Sequence, residues 1–281
     1  MTLPEWFKIK IPLEGISKTE RTIEENGIYT ICKEAKCPNK AECFSKKTAT
    51  FLALGNLCTR SCAFCSVLYS KNPKKLDENE PSKIASAAKK LNLKHVVITM
   101  VTRDDLEDGG AFQLVRIIKE VKKQNPSSTI EVLTSDFAGN LNSIDLILNE
   151  GVDVFNHNIE TTRDLSPKIR HLANYERSMM ILKYIKDQNK AKFVKSGFMV
   201  GLGEEKKEVF ETITDLKEAN CDIITIGQYL QPIKTKHTVI RYVHPDEFKE
   251  YISFAKSLNI KHIFASPLVR SSYNAEIIFQ N

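Results

Sequence analysis

Cys58-Thr59-Arg60-Ser61-Cys62-Ala63-Phe64-Cys65 sets three thiols in one short stretch, spaced C-x3-C-x2-C. Thiols this close share one tight loop and can ligate three corners of a single inorganic cluster. A closed structural zinc site takes four protein ligands, usually from paired C-x2-C knuckles, so this set falls one short. In a [4Fe-4S] cube, three thiolates leave one iron without a protein ligand and open to a small molecule. A zinc loop, or thiols placed by chance, is the competing reading. The loop follows the apolar run from Ala49 to Leu54, closed by Gly55-Asn56, which has the character of a strand. The thiols therefore stand at a strand's carboxyl end, where strand–helix barrels build their active sites.

Upstream stands a second set, Cys32, Cys37 and Cys43, spaced C-x4-C-x5-C. It too lacks a fourth ligand for zinc, since the first histidine of the chain is His95. A second iron–sulfur cluster, completed by a ligand from far along the chain, fits these residues better. Six of the seven cysteines thus fall between positions 32 and 65. The seventh, Cys221, reads as a core thiol. Clustered, unevenly spaced thiols with no signal peptide before them argue for reduced cysteines in metal sites, and the cytoplasm is the expected compartment. No apolar run is long enough to span a membrane.

At 281 residues and 42% hydrophobic, the chain can bury a full core. Its net charge of +6 is spread as lysines through helical segments, which is a weak nucleic-acid footprint. A solvated surface that favours acidic partners is the more economical account.

Strand-like runs recur at Ala49–Leu54, His95–Val101, Thr129–Thr134, Val152–Asn156, Phe193–Val200, Ile223–Leu230 and His262–Ala265. Between them, apolar residues return at helical spacing: Ile84, Ala87, Ala88 and Leu91 with Ser82 as a cap, then Phe112, Val115, Ile118 and Val121. Ile144, Ile147 and Leu148 follow, then Tyr175, Met179, Leu182 and Ile185, then Val209, Ile213 and Leu216. Pro245 opens a last helix with Phe248, Ile252 and Ala255 inside. Alternation of this kind predicts parallel strands with crossover helices, closing or nearly closing into a barrel. A doubly wound sheet competes, but the first strand ends in a cysteine loop and not a Gly-rich phosphate turn. Ahead of the barrel, Pro4–Lys8 and Ile11-Pro12-Leu13 read as an extended arm. A helix is expected within Lys18–Ile31, ending near Gly27, and Lys71–Pro81 reads as a polar surface loop.

Polar residues gather where these strands end. Asp108-Gly109-Gly110 could expose carbonyls to an ammonium group, or simply turn into a helix. Glu160 with an asparagine of Asn156-His157-Asn158 could hold a ribose, whereas His157 reads as a hydrogen-bonded structural residue. The glycines of Gly197–Glu204 permit close approach by a planar ligand, and Lys195 and Gln228 read as either interior side chains or ligand contacts.

With these motifs in order, the chain resembles the lipoyl synthase family of the radical S-adenosylmethionine superfamily over nearly its whole length. The resemblance rests on both cysteine sets, Thr48–Phe51, Arg103-Asp104-Asp105-Leu106, Phe155–Thr161, Lys195-Ser196-Gly197, Gln228-Tyr229-Leu230, Arg241–Pro245 and Pro267–Tyr273. It implies a partial (β/α)6-type barrel in residues 49–230, an N-terminal extension in 1–48 and a C-terminal extension in 231–281. It also implies that Cys58, Cys62 and Cys65 hold a cluster binding S-adenosylmethionine. Cys32, Cys37 and Cys43 would hold an auxiliary [4Fe-4S] cluster, with Ser272 as its fourth ligand. Phe64, Asp108, Gly109, Gly110, Asn158, Glu160, Arg170, Gly197, Met199, Gly201, Gln228 and Tyr229 would contact S-adenosylmethionine. The activity implied is sulfur insertion at C6 and C8 of a protein-bound octanoyl-lysine. Implied partners are an octanoylated lipoyl carrier domain (a 2-oxoacid dehydrogenase acyltransferase subunit or a glycine cleavage H protein), a ferredoxin or flavodoxin as electron donor, and an iron–sulfur carrier protein. Neither nucleic acid nor membrane is expected, and no transit peptide, because the family-like sequence starts almost at Met1.

Phe44, Ser266 and His171 depart from residues usual in the family, and they bear on loop shape and substrate fit. Two alternatives stay open on sequence. One is a related sulfur inserter, a biotin synthase or tRNA methylthiotransferase. The other is a metal-binding module that holds nucleic acid.

Overall fold

The computed structural model describes residues 2–8 and 16–279. The Ile11-Pro12-Leu13 part of the expected arm lies outside them. Ten strands are present: β1 (Tyr29–Thr30), β2 (Thr50–Ala53), β3 (Leu57–Cys58), β4 (Leu68–Tyr69), β5 (His95–Met100), β6 (Thr129–Leu133), β7 (Val154–Asn156), β8 (Phe193–Val200), β9 (Ile223–Gln228) and β10 (His262–Ser266). Eight form one sheet in the order β1-β2-β5-β6-β7-β8-β9-β10, and β3 pairs with β4 apart from it. Every pairing from β2 to β10 is parallel; only β1 runs antiparallel, on β2. The strands β2, β5 and β9 are buried along their whole length, which is why they appear in the sequence as unbroken apolar runs.

The six strands from β2 to β9 in this sheet are the expected partial barrel. Among the described residues the sheet does not close: β1 and β10 end the strand order at opposite edges and do not pair.

The crossovers are α4 (Glu80–Leu91), α5 (Ala111–Gln124), α6 (Leu141–Leu148), α8 (Tyr175–Gln188), α9 (Lys206–Glu218) and α10 (Pro245–Ser257). Their inner faces join the strands in one hydrophobic core. Phe112, expected on an inner face, is 65% exposed. Its N–H is capped by Asp108 at 2.7 Å, so α5 starts with this residue turned outwards, and Leu114, Ile117 and Ile118 take the core. Ser82 is not the cap of α4 either. That place belongs to Asn79, and Ser82 lies inside the helix with its hydroxyl donating to the Asn79 carbonyl at 2.9 Å.

Short elements dress the barrel mouth: α1 (Ile16–Glu25), α2 (Ile31–Glu34), α3 (Lys40–Ser45) and α7 (Ser166–Ile169). The helix expected within Lys18–Ile31 is α1; the chain turns at Gly27, at φ +58°, and enters β1. The arm at Glu5–Phe7 is a 3-10 turn, with Phe7 buried against Tyr242 and Trp6 edge-on to His244. At the opposite end of the barrel, Phe279 packs against His95 and Phe193, which begin β5 and β8.

Candidate active site

The carboxyl ends of the strands open into a cavity of 480 Å³ lined by all six cysteines of the two sets. The loop that carries Cys58, Cys62 and Cys65 is fixed from every side. Ser70 N–H donates to the Cys58 carbonyl at 2.9 Å, Thr59 N–H to Thr102 at 3.0 Å and Ala63 N–H to Ile169 at 2.9 Å. Ser61 N–H donates to Nδ1 of His171 at 3.1 Å, and Lys236 Nζ donates to the Cys62 carbonyl at 3.2 Å. Arg60, 6% exposed, grips Asp104 through Nε and Nη2 at 2.8 and 2.7 Å and meets Asp136 at 2.7 Å. A bidentate guanidinium between two carboxylates sets both angle and distance, so it can hold the loop's shape before any metal arrives. Arg177 supports Asp136 from the other side at 2.9 Å.

The second set is assembled from both ends of the chain. Cys32 lies in α2, Cys43 in α3 and Cys37 between them. Ser66 Oγ donates to the Glu34 carbonyl at 2.7 Å, tying this region to the end of the first loop. Asn39 Nδ2 donates to the Leu268 carbonyl at 2.7 Å, and Tyr273 donates to the Glu42 carboxylate at 3.1 Å. Those two bonds lay residues 268–273 over the cysteines. The paired serines then differ in kind. Ser271 accepts from Asn156 Nδ2 and donates to Asn158 Oδ1, each at 2.9 Å. Ser272 lines the cavity and makes no hydrogen bond to another described residue. One serine is an anchor and the other is left available.

Burial pushes the Cys32 thiol up to about 11, and it pushes Cys43 and Cys65 to about 12, with neighbouring thiols adding to the effect. Cys62 is raised by burial as well. Such thiols stay protonated at neutral pH on their own. A metal that displaces the protons supplies the positive charge that clustered thiolates need. Among the described residues, no three Cys, His, Asp or Glu stand close enough to grip a single metal ion. Three soft sulfur ligands in each set suit an iron–sulfur cluster better than zinc, whose closed sites take four.

The remaining wall is polar at one place and aromatic at another. Glu160 sits at φ +65°, a left-handed conformation that a glutamate holds only under constraint. Its N–H donates to the Gly197 carbonyl at 3.1 Å and its carbonyl accepts from Met199 at 2.9 Å, pinning the residue to β8. Burial raises its carboxyl above the usual range against the pull of Arg170 and Asn158. Arg170 donates through Nη2 to Ser178 at 2.9 Å, while its buried Nη1 has no partner. A carboxylate and a spare guanidinium donor in one cavity match a ligand with both hydroxyl or ammonium groups and a carboxylate. Phe64 packs beside Ile169, Leu202 and Tyr229, giving an apolar wall. His157 is structural: Nδ1 donates to the Thr134 carbonyl at 3.0 Å, and Nε2 accepts from Ser178 at 2.9 Å.

Of the residues expected at S-adenosylmethionine, Phe64, Asn158, Glu160, Arg170, Gly197, Met199, Gln228 and Tyr229 line the cavity. Asp108, Gly109, Gly110 and Gly201 do not. Asp108 accepts from Gly110 N–H at 2.9 Å and from Phe112 N–H, so its loop is the plain turn into α5. A Cβ on Gly201 would meet Gln228 Nε2 at 2.0 Å, so its glycine serves chain packing, not ligand approach. The Gln228 amide is likewise engaged, donating to Arg241 at 2.9 Å and accepting from Val243 at 2.8 Å. Lys195 is an interior side chain, paired with Glu131 at 3.0 Å. Arg60, Asp136 and Lys236 carry no sequence signal, because their partners lie far along the chain, and His171, marked in the sequence only as a departure from the family, supports the cysteine loop.

Comparison with known proteins agrees with this geometry. A family model for the radical SAM superfamily matches residues 52–216. A lipoyl synthase from Protochlamydia amoebophila is 50% identical over 278 residues, covering 98% of this chain and 86% of that protein. One from Caldicellulosiruptor saccharolyticus is 48% identical, covering 97% and 96%. Among solved structures, methylornithine synthase (PylB) superposes with a TM-score of 0.59 at 15% identity, covering 90% of this chain and 72% of that one, which shows a shared fold. Similarity of this extent to lipoyl synthases removes the biotin synthase, methylthiotransferase and nucleic-acid-module readings. The chain belongs to the lipoyl synthase family of the radical S-adenosylmethionine superfamily.

Proposed function

We propose that this enzyme replaces C–H by C–S bonds at C6 and C8 of an octanoyl chain carried on a lysine of a lipoyl domain. The observation that supports it most is the meeting of two three-thiol sets and one unbonded serine in a single cavity. Cys58, Cys62 and Cys65 would hold one [4Fe-4S] cluster; Cys32, Cys37, Cys43 and Ser272 would hold the other. When bound, the first supplies the electron that splits S-adenosylmethionine into methionine and a 5′-deoxyadenosyl radical, and the second supplies the sulfur.

The protein's own share is positioning. Arg60, Asp104, Asp136 and His171 hold the cysteine loop. Arg170 Nη1 is free to bind the methionine carboxylate. Glu160 and Asn158 face the cavity with acceptor oxygens suited to ribose hydroxyls. Phe64, Met199 and Tyr229 give apolar surface, which keeps water from a reactive carbon radical. Residues 1–48 bring three thiols and 231–281 bring the serine, so both extensions are part of the site. A hydroxyl oxygen is a harder, weaker partner for iron than thiolate, which suits a ligand that must let go as sulfur leaves.

The test is anaerobic incubation of the reconstituted enzyme with S-adenosylmethionine, dithionite and an octanoylated lipoyl domain. Mass spectrometry should show the carrier gaining two sulfurs as the dithiol under reduction, and two hydrogens lighter once air oxidises it to the disulfide. Formation of 5′-deoxyadenosine with no sulfur on the carrier would refute the assignment.

A further inference from the structure

The cysteine loop reaches the surface at one edge. In the small ladder of β3 and β4, Cys58 is in register with Tyr69 and Leu57 with Leu68. Those two partners are exposed, Leu68 by 60% and Tyr69 by 53%. Beyond them come Lys71, Lys74 and Lys75, all exposed, and residues 66–76 contain no acid. Lys83 is taken by Asp77 at 2.7 Å, whereas among the described residues the other three lysines form no ion pair. The loop that carries them is anchored: Gln113 donates to the Asp77 carbonyl at 2.8 Å and Arg116 to that of Glu78 at 3.1 Å. Lys74 and Lys75 also line a cavity of 280 Å³ together with Asp77, Glu80, Asn56 and Leu57, the last next to Cys58.

We infer that Leu68 and Tyr69, with the exposed Lys71, Lys74 and Lys75 that follow them in the chain, are the docking site of a small acidic one-electron carrier protein. This rests on the function proposed above, which requires one electron at the Cys58 loop. An apolar pair beside a run of positive charge complements an acidic surface around an exposed prosthetic group. The acyl carrier is the other acidic partner, and geometry separates the two. None of these five residues lines the reaction cavity, as a surface that only passes an electron requires, whereas the acyl carrier must sit where its arm enters. Electron transfer needs proximity and no shared cavity. For a flavodoxin, the anionic flavin hydroquinone gives up one electron and becomes the neutral semiquinone. The electron arrives at the group held by Cys58, Cys62 and Cys65, and no bond in this chain forms or breaks.

The experiment titrates oxidised flavodoxin into the reconstituted enzyme by calorimetry at low and moderate salt. Triple charge reversal (Lys71→Glu, Lys74→Glu, Lys75→Glu) should weaken binding at least about tenfold at low salt and flatten its salt dependence. Leu68→Ser with Tyr69→Ser should weaken it without changing the salt slope. Binding of the octanoylated lipoyl domain should not change in either variant, nor should 5′-deoxyadenosine formation driven by dithionite. Unchanged flavodoxin affinity in both variants overturns the inference, as does a loss confined to the lipoyl domain. Failure of the dithionite reaction in the parent protein would instead count against the proposed function, and the binding measurement does not depend on it.

Discussion

Replacing Lys195 or Glu131 singly should damage the fold far more than replacing both. The pair sits inside the barrel below the cavity, with Lys195 3% and Glu131 0% exposed. Lys195 Nζ stands 3.0 and 3.1 Å from the two Glu131 oxygens, Asn156 Nδ2 donates to Oε1 at 3.0 Å, and His95 Nε2 lies 3.4 Å from Oε2. Burial by itself would drive the carboxyl up; Lys195 and His95 outweigh it and hold it below its usual range. Lys195→Met keeps the stem's volume and strands a carboxylate, which should cost about 3–5 kcal/mol. Glu131→Leu strands the ammonium and should cost a similar amount. In the double variant no charge remains. Asn156 and His95 then each lose one partner, but Asn156 keeps Ser271 and His95 keeps Thr129, so the loss should be about 1–2 kcal/mol. The coupling energy is then several kcal/mol, read from anaerobic urea unfolding of the reconstituted protein by circular dichroism. A double variant as unstable as the sum of the singles would refute the view that the charges matter chiefly to each other.

Three further outcomes follow from the site. His157, pushed down to about 4 by burial, stays neutral in the fold while the unfolded chain protonates near pH 6.5; stability is therefore complete above that pH and falls by roughly 3 kcal/mol towards pH 4. His157→Gln should remove that part of the acid loss in pH-dependent unfolding. Cys37→Ala should lose about half the iron and all sulfur transfer yet still form 5′-deoxyadenosine, whereas Cys62→Ala should form none, as measured by iron assay and chromatography. Ser271→Ala should destabilise by about 1–3 kcal/mol because Asn158 Oδ1 loses its donor, while Ser272→Ala should leave unfolding unchanged and alter the Mössbauer spectrum of the auxiliary cluster.

The seven parallel strands of the main sheet were legible as apolar runs bounded by polar turns, most plainly β2, β5 and β9, which are buried on both faces. Two-residue strands such as Leu57–Cys58 and Leu68–Tyr69 are too short for any periodicity, so the ladder carrying the cysteine loop was hidden. Spacing exposed the thiols, since ligands of one cluster on one loop must lie close in sequence. Their supports follow no such rule. Arg60 finds Asp104 and Asp136 44 and 76 positions away, and nothing around Asp136 marks it as a partner. Glycine misled in the opposite direction. Gly201, at φ +93°, and Gly110, whose Cβ would strike Leu54 at 2.4 Å, are required by neighbouring protein atoms. A glycine announces close approach without saying what approaches.

The division of ligands between chain ends bears on how the auxiliary site would work. Its three thiols belong to one short segment between α2 and α3, tied to the barrel at Ser66. Ser272 arrives on another segment, held by Asn39, Glu42, Asn156 and Asn158 through its neighbours and not through its own hydroxyl. On the proposed assignment, the fourth position would open by rotation of one serine side chain while every anchoring hydrogen bond stays in place. Were all four ligands on one loop, release of one would loosen the rest. Because both cysteine sets face the same 480 Å³ cavity, an octanoyl chain need not leave between radical attack and carbon–sulfur bond formation. The proposed ligand set would thus put a fixed sulfur source and a releasable ligand over one cavity, which is what stepwise insertion at two carbons requires.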